Sequence, residues 1–297
     1  MADWRKIPEA GTVIGIRLLV LSARLLGRRI TSGILFVVAF YYALIRGVAR
    51  RASRDYLRRI GQPTGFWMVV RHLHVFAQVS LDRAFFVTGK VTPFELAYDG
   101  HDELVQLARG GKGVILLGAH LGSFEVMRCQ AREFAIPINI VANFGNAERI
   151  NGVLQSLAPD MKTNLISIAA DPIHAMLEVR AAIERGEIVA MLADRADDQG
   201  RVVTTQFLGA DARFPAGPWL MAHALRCPVY FVAGVYSSPR RYELHLRCLA
   251  SEVRLERNDR AAALSRYAQS YASMLETFAR EAPLNWFNFF DFWGARS

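Results

Sequence analysis

From about residue 112 the chain alternates short apolar runs with longer stretches of helical period: "GVILLG" precedes 122–135, "INIVAN" precedes 146–158, "NLISIA" precedes 173–185, and "EIVAMLAD" closes the series. Such alternation predicts βαβ units, and therefore a largely parallel sheet covered by helices on both faces. After Asp194 a polar loop, "RADDQGRVVTTQFLGADARF", is expected to lead into a helix near 216–226. The runs "PVYFVAGVY" and "RYELHLRCL" lie close enough in sequence to pair as neighbouring strands, and residues 259–282 carry the period of a final amphipathic helix. No internal repeat or low-complexity tract interrupts the pattern. The expected fold class is α/β, a mostly parallel mixed sheet with helices on both faces, plus an apolar N-terminal helical segment.

That segment has its own pattern. "ITSGILFVVAFYYALI", residues 30–45, holds no charge across sixteen positions and is bracketed by Arg28, Arg29, Arg46, Arg50 and Arg51. At a rise of about 1.5 Å per residue it spans about 24 Å, short of the roughly 30 Å hydrocarbon core of a bilayer. The preceding "GTVIGIRLLVLSARLLG" sets Arg17 and Arg24 seven apart, near one helix face. The pattern fits an interfacial helix followed by a short or re-entrant one; the alternative is a helical hairpin packed on the rest of the protein, which periodicity does not separate from a membrane segment. We divide the chain into residues 1–60, a basic membrane-associating segment, and 61–297, a catalytic domain.

Charge sharpens this division. The chain carries 36 basic and 27 acidic residues, a net charge of +9. Residues 1–60 hold twelve Arg or Lys against Asp3, Glu9 and Asp55, and the remaining residues balance at 24 of each sign. A basic excess confined to the most apolar part of the chain points to a membrane surface and away from nucleic acid. The apolar run starts late and is followed by arginines, so it is expected to be retained and not cleaved as a signal peptide. Cys129, Cys227 and Cys248 are far apart with no C-x-x-C, which supports neither a disulfide framework nor a zinc site and suggests a reducing cytoplasm.

The candidate chemistry lies in "GAHLGSFE", residues 118–125, where a strand hands over to a helix. Were 120–125 all helical, His120 and Glu125 would stand about 140° apart and not meet. With His120 in the loop at the strand end and Glu125 one turn into the helix, the chain curls so that carboxylate and imidazole approach, and Gly118 and Gly122 permit the tight backbone. A carboxylate on one ring nitrogen makes the other a general base. Two other readings stand beside this one: His120 as a helix-start residue bonded to backbone, and Ser123 as a nucleophile, although "HLGSFE" lacks the G-x-S-x-G elbow and suits a serine at a helix N-terminus.

"RGGKGVILLGAHLGSFE" resembles the H-x-x-x-x-D/E block of the lysophospholipid acyltransferase superfamily, specifically the bacterial lipid A late acyltransferases. The likeness continues in order through "IVAMLADRADDQG", "FLGADARFPAGPWLMAHALRCPVYFVAG" and "PLNWFNFF", covering roughly residues 100–294. It implies transfer of a fatty acyl group from an acyl carrier protein or coenzyme A thioester to a hydroxyl or amine of a lipid or glycolipid at the cytoplasmic face of the inner membrane, with no metal or redox cofactor. By that carry-over His120 is the base and Glu125 orients it, while backbone N–H groups of the turn 118–122, Gly122 among them, and Arg149 or Arg195 are candidates to hold the oxyanion. Asp194 and Arg195 are expected to line the same cleft, unless they form a loop salt bridge. Phe207, Phe214 and the aromatic block 286–293 are candidates for an acyl-chain wall, with core packing as the alternative.

Two departures bear on the acceptor. Where the family often has a tyrosine-arginine-proline turn, "VANFGNAERIN" offers Asn143 and, later, Arg149. Where lipid A enzymes carry a histidine-arginine run near the tryptophan, "NWFNFFDFW" carries Asp291. A lipid A phosphate finds fewer partners here, which directs attention to a glycolipid, an aminolipid or an aryl-polyene type pigment lipid. The competing functions are a serine lipase or thioesterase using Ser123 and a non-catalytic membrane adaptor.

Overall fold

The computed structural model describes residue 22 and residues 27–87, 93–127, 129, 136–142, 164–168, 171–196 and 200–294. The putting together of β1 (Glu95–Asp99), β2 (Val114–Gly118), β3 (Ile138–Ala142), β4 (Asn164–Ser167), β5 (Ile188–Leu192), β8 (Val229–Ser238) and β9 (Arg241–Ala250) makes one seven-stranded sheet in the order β1-β9-β8-β2-β5-β3-β4. All pairs are parallel except β8 and β9, which pair antiparallel as the short connection between them requires. The α/β class expected from the sequence is therefore the fold observed.

Central strand β2 explains why an unbroken apolar run was needed: every one of its residues is buried, because both faces are covered. Ile115 and Leu117 join a core with Val179 of α5 (Pro172–Glu184), Trp219 of α6 (Gly217–Leu225) and Leu275 of α7 (Arg260–Glu281). Val114 and Leu116 face the other way, into a core with Phe86 of α3 (Phe66–Val87) and Met127. Helix α4 (His101–Arg109) connects β1 to β2.

The polar loop expected after Asp194 is instead largely a hairpin, β6 (Val202–Phe207) against β7 (Ala210–Pro215). Its two-residue turn, Leu208 and Gly209, has φ of 51° and 76°, the positive pair that suits the twist of a tight hairpin. The hairpin is held from a distance: the Gln206 and Leu208 N–H groups donate to Gln269 and Glu276 of α7 at 3.0 and 2.8 Å. The helix expected over 146–158 lies outside the described residues, as do Asn143, Arg149 and residues 1–21.

Helix α1 (Gly27–Ile45) is two-faced. Leu35, Ala39 and Ala43 are buried, and α1 is tied to α3 by Arg28, whose guanidinium donates to both oxygens of buried Asp82 at 2.8 and 2.5 Å. The opposite side shows Ile30, Ile34, Val37, Tyr41 and Leu44 at helical spacing, with Val37 65 % and Tyr41 61 % exposed. Among the described residues it is the helix long and apolar enough to cross a membrane. After Arg46, α2 (Gly47–Arg59) sends Tyr56 and Leu57 into the main core, so packing continues across the boundary drawn at residue 60.

Candidate active site

The register of β2 against β5 builds the site. The two strands are parallel and pair Val114 with Ile188 through to Gly118 with Leu192, and the Ala193 N–H still reaches the Gly118 carbonyl at 2.9 Å. Two residues beyond each strand end, His120 and Asp194 therefore stand side by side at the C-terminal edge of the sheet, the usual ligand edge of such folds. The His120 Nδ1 lies 2.8 Å from Asp194 Oδ1, and the His120 backbone N–H donates to Asp194 Oδ2 at 3.0 Å. A carboxylate only accepts, so Nδ1 carries the proton and, in the neutral ring, Nε2 keeps its lone pair.

Asp194 is 1 % exposed, whereas the His120 side chain is 32 % exposed. Burial lowers the imidazole's affinity for a proton, and the Arg195 guanidinium lowers it further against the pull of Asp194. Burial also opposes the Asp194 charge, but His120 and Arg195 outweigh it and hold the carboxyl at about 2. The pair is thus poised as neutral imidazole on a fixed carboxylate.

Glu125 stands elsewhere. It opens the helix after the turn and pairs with Arg83 of α3, Nε to Oε1 at 2.5 Å. The carboxylate bonded to the imidazole is Asp194, which corrects the His120–Glu125 pairing expected from the sequence. The physical reason is that side chains five apart around a turn diverge, while parallel-strand register sets residues from separate strands face to face. A signal was present: "VILLGAH" and "IVAMLAD" have equal length and both end in alanine followed by a polar residue.

The turn itself is held by the fold. Gly122 has φ of 61°, and a Cβ there would collide with the Gly234 carbonyl. The Gly122 and Ser123 N–H groups donate to the carbonyls of Asn285 and Gly234 at 2.9 and 2.7 Å. With the His120 N–H on Asp194, two donors of the expected oxyanion turn 118–122, those of His120 and Gly122, already have protein acceptors. Ser123 is 1 % exposed, and among the described residues its hydroxyl has no hydrogen-bond partner; it is not paired with His120 as a serine nucleophile requires.

Arg195 is anchored above the C-terminal segment, Nη2 donating to the Phe287 carbonyl at 3.1 Å and the guanidinium lying 5.2 Å from the centre of the Phe290 ring. The same segment returns the Phe287 N–H to the His120 carbonyl at 2.7 Å and the Trp286 indole N–H to Asp194 Oδ2 at 3.1 Å. Sequence reasoning had placed Trp286 only in an aromatic block and had not singled out Arg83. Phe207 and Phe214 are fully buried behind Trp286, packed edge-on to each other, so they fill the core and present no open wall to an acyl chain. Among the described residues no three His, Cys, Asp or Glu side chains gather as metal ligands.

Residues 65–294 match the family model described as bacterial lipid A biosynthesis acyltransferase. No curated protein matches the chain.

Proposed function

From the premise that the chain belongs to the bacterial lipid A biosynthesis acyltransferase family, we propose that it moves a fatty acyl group from a carrier-protein or coenzyme A thioester to a hydroxyl or amine of a membrane lipid, with His120 as general base and Asp194 as its orienting carboxylate. The observation that carries this reading is the 2.8 Å contact of His120 Nδ1 with Asp194, which leaves Nε2 as the basic atom. In the forward step Nε2 takes the proton of the acceptor hydroxyl or amine as its oxygen or nitrogen bonds to the thioester carbonyl carbon. Collapse of the tetrahedral oxyanion breaks the C–S bond, and the imidazolium returns the proton to the leaving thiolate. With the His120 and Gly122 N–H groups of the turn engaged, Arg195 is the group we assign to the oxyanion, and the Glu125–Arg83 pair ties the helix that follows the turn to α3. The acceptor we favour is a lipid or glycolipid without a lipid A phosphate, because Asp291 stands where basic residues would meet one. Comparing lipids by mass spectrometry in cells with and without the protein tests this directly: the acylated species that disappears names chain and acceptor, and an unchanged lipid profile would sink the reading.

The pH dependence follows from the pair. Because burial and Arg195 lower the His120 pKa, the base form is full at neutral pH and is lost only as pH falls below the ordinary imidazole value near 6.5. Asp194 stays ionised to about 2, so it adds no second break in that range. We expect kcat/KM to fall with a single proton below pH 6.5; an acid limb centred above 6.5 would be inconsistent with a desolvated His120.

Membrane binding is assigned to the exposed face of α1, at the cytoplasmic side of the inner membrane. Burying a side chain such as Val37 is worth about 1.5 to 3 kcal/mol, more than the roughly 1 kcal/mol of one surface arginine. In vesicle flotation, Val37→Asp with Tyr41→Asp is expected to weaken binding at least tenfold, whereas high salt alone leaves the wild type bound. Complete release of the wild type by salt would show that only the arginines touch lipid.

A further inference from the structure

We propose that Trp286 is a positioning residue for the His120–Asp194 pair, acting through its indole N–H as a third donor to the Asp194 carboxylate. The inference rests on the reading of His120 as base, and extends it to a residue 92 positions from Asp194 in sequence. Three N–H groups converge on the two oxygens of this buried carboxylate: His120 Nδ1 on Oδ1, and the His120 backbone and Trp286 indole on Oδ2. The donors on Oδ2 hold the carboxylate plane, and so determine how Oδ1 meets the imidazole.

Trp286 is itself fixed from every side. Its ring is fully buried, with centroids 5.0 Å from Tyr56, 5.3 Å from Phe207, 5.0 Å from Phe292 and 5.9 Å from Trp293, all edge to face. Its backbone is held too, by pairing with Leu121 just after the base and by His72, whose Nε2 lies 3.0 Å from the Trp286 carbonyl. A carbonyl only accepts, so His72 carries its proton on Nε2 and accepts at Nδ1 from the Ser53 hydroxyl, 2.9 Å away. Burial holds the His72 pKa down to about 4, so this strut is uncharged at neutral pH. An indole suits the place because it donates without accepting or ionising, and adds no charge of its own beside Asp194.

The consequence is electrostatic as well as geometric. An N–H on Oδ2 draws carboxylate charge away from the imidazole; removing it leaves more charge for the imidazolium, and His120 then holds its proton to higher pH. The groups that face the pair are Arg195 after β5 toward both His120 and Asp194, Arg83 of α3 toward His120, and Tyr271 of α7 toward Asp194. Trp286→Phe replaces none of these groups.

The test uses the full chain in detergent micelles. Histidine ¹⁵N resonances report the His120 titration without any substrate, and the indole N–H of Trp286 is followed in the same wild-type samples. We expect the Trp286 indole resonance to move with the His120 midpoint. Trp286→Phe, which keeps a ring and removes the donor, should raise that midpoint and lower kcat about tenfold at unchanged KM. Phe292→Leu loosens the same packing but leaves the donor, and should not raise the midpoint. An indole resonance that stays flat through the His120 titration overturns the proposal even if Trp286→Phe does not fold, and so does an equal rise of the midpoint in Phe292→Leu. Failure of the base reading is seen separately, as retained activity in His120→Ala.

Discussion

Replacing His120 with alanine is expected to lower acyl transfer by on the order of 10³-fold, the middle of the range for a lost general base. Membrane binding and the melting transition should stay close to wild type. The imidazole is partly exposed, and Asp194 keeps the backbone N–H of residue 120 and the Trp286 indole as donors, so no buried carboxylate is stranded. The measurement is initial rate with a matched acyl thioester and a membrane-lipid extract. Activity within tenfold of wild type would remove His120 from the chemistry. An acyl-enzyme trapped on Ser123, with Ser123→Ala inactive, would transfer the mechanism to the hydrolase class.

The second large effect is expected at Asp194. An asparagine has one accepting oxygen where the carboxylate has two, and three N–H donors point at the group. With its oxygen kept toward the His120 backbone and Trp286 N–H groups, the amide NH2 meets Nδ1 and donates to it, so Asp194→Asn moves the imidazole proton to Nε2 and removes the basic atom from the acceptor side. We expect kcat to fall by on the order of 10³-fold. Glu125→Gln is the matched comparison. It loses only the ion pair with Arg83, which is partly exposed, and is expected to reduce activity about tenfold. The reverse order, with Glu125→Gln inactive and Asp194→Asn mild, would return the orienting role to Glu125.

These two variants separate what was legible in the chain from what was not. Strands β2, β3, β4 and β5 were readable because runs such as "VILLG" are apolar without interruption and are bounded by polar or glycine residues. The hairpin over Val202–Pro215 was not, because its strands carry many polar residues and it is also held by Gln269 and Glu276 on α7, far along the chain. His120 was identifiable as a polar residue set at a strand end between glycines. Its partner was not, because the sixfold stretch "HLGSFE" offers Glu125 by proximity while the sheet offers Asp194 by register.

At the N-terminus the apolar length and flanking arginines of α1 are properties of the sequence alone. The buried Arg28–Asp82 pair that ties this helix to α3, and the assignment of one face to protein and the other to the outside, are tertiary. By itself, then, the sequence determined the succession of strands β2 to β5, the basic apolar segment and the candidate base, since backbone sterics, side-chain periodicity and charge act over a few residues. Only the tertiary structure decided that Asp194 faces His120, that Trp286 donates to Asp194 and that Glu125 goes to Arg83. Those contacts join residues separated by 74, 92 and 42 positions, and are settled by strand register and by packing summed over the whole chain rather than by any local preference.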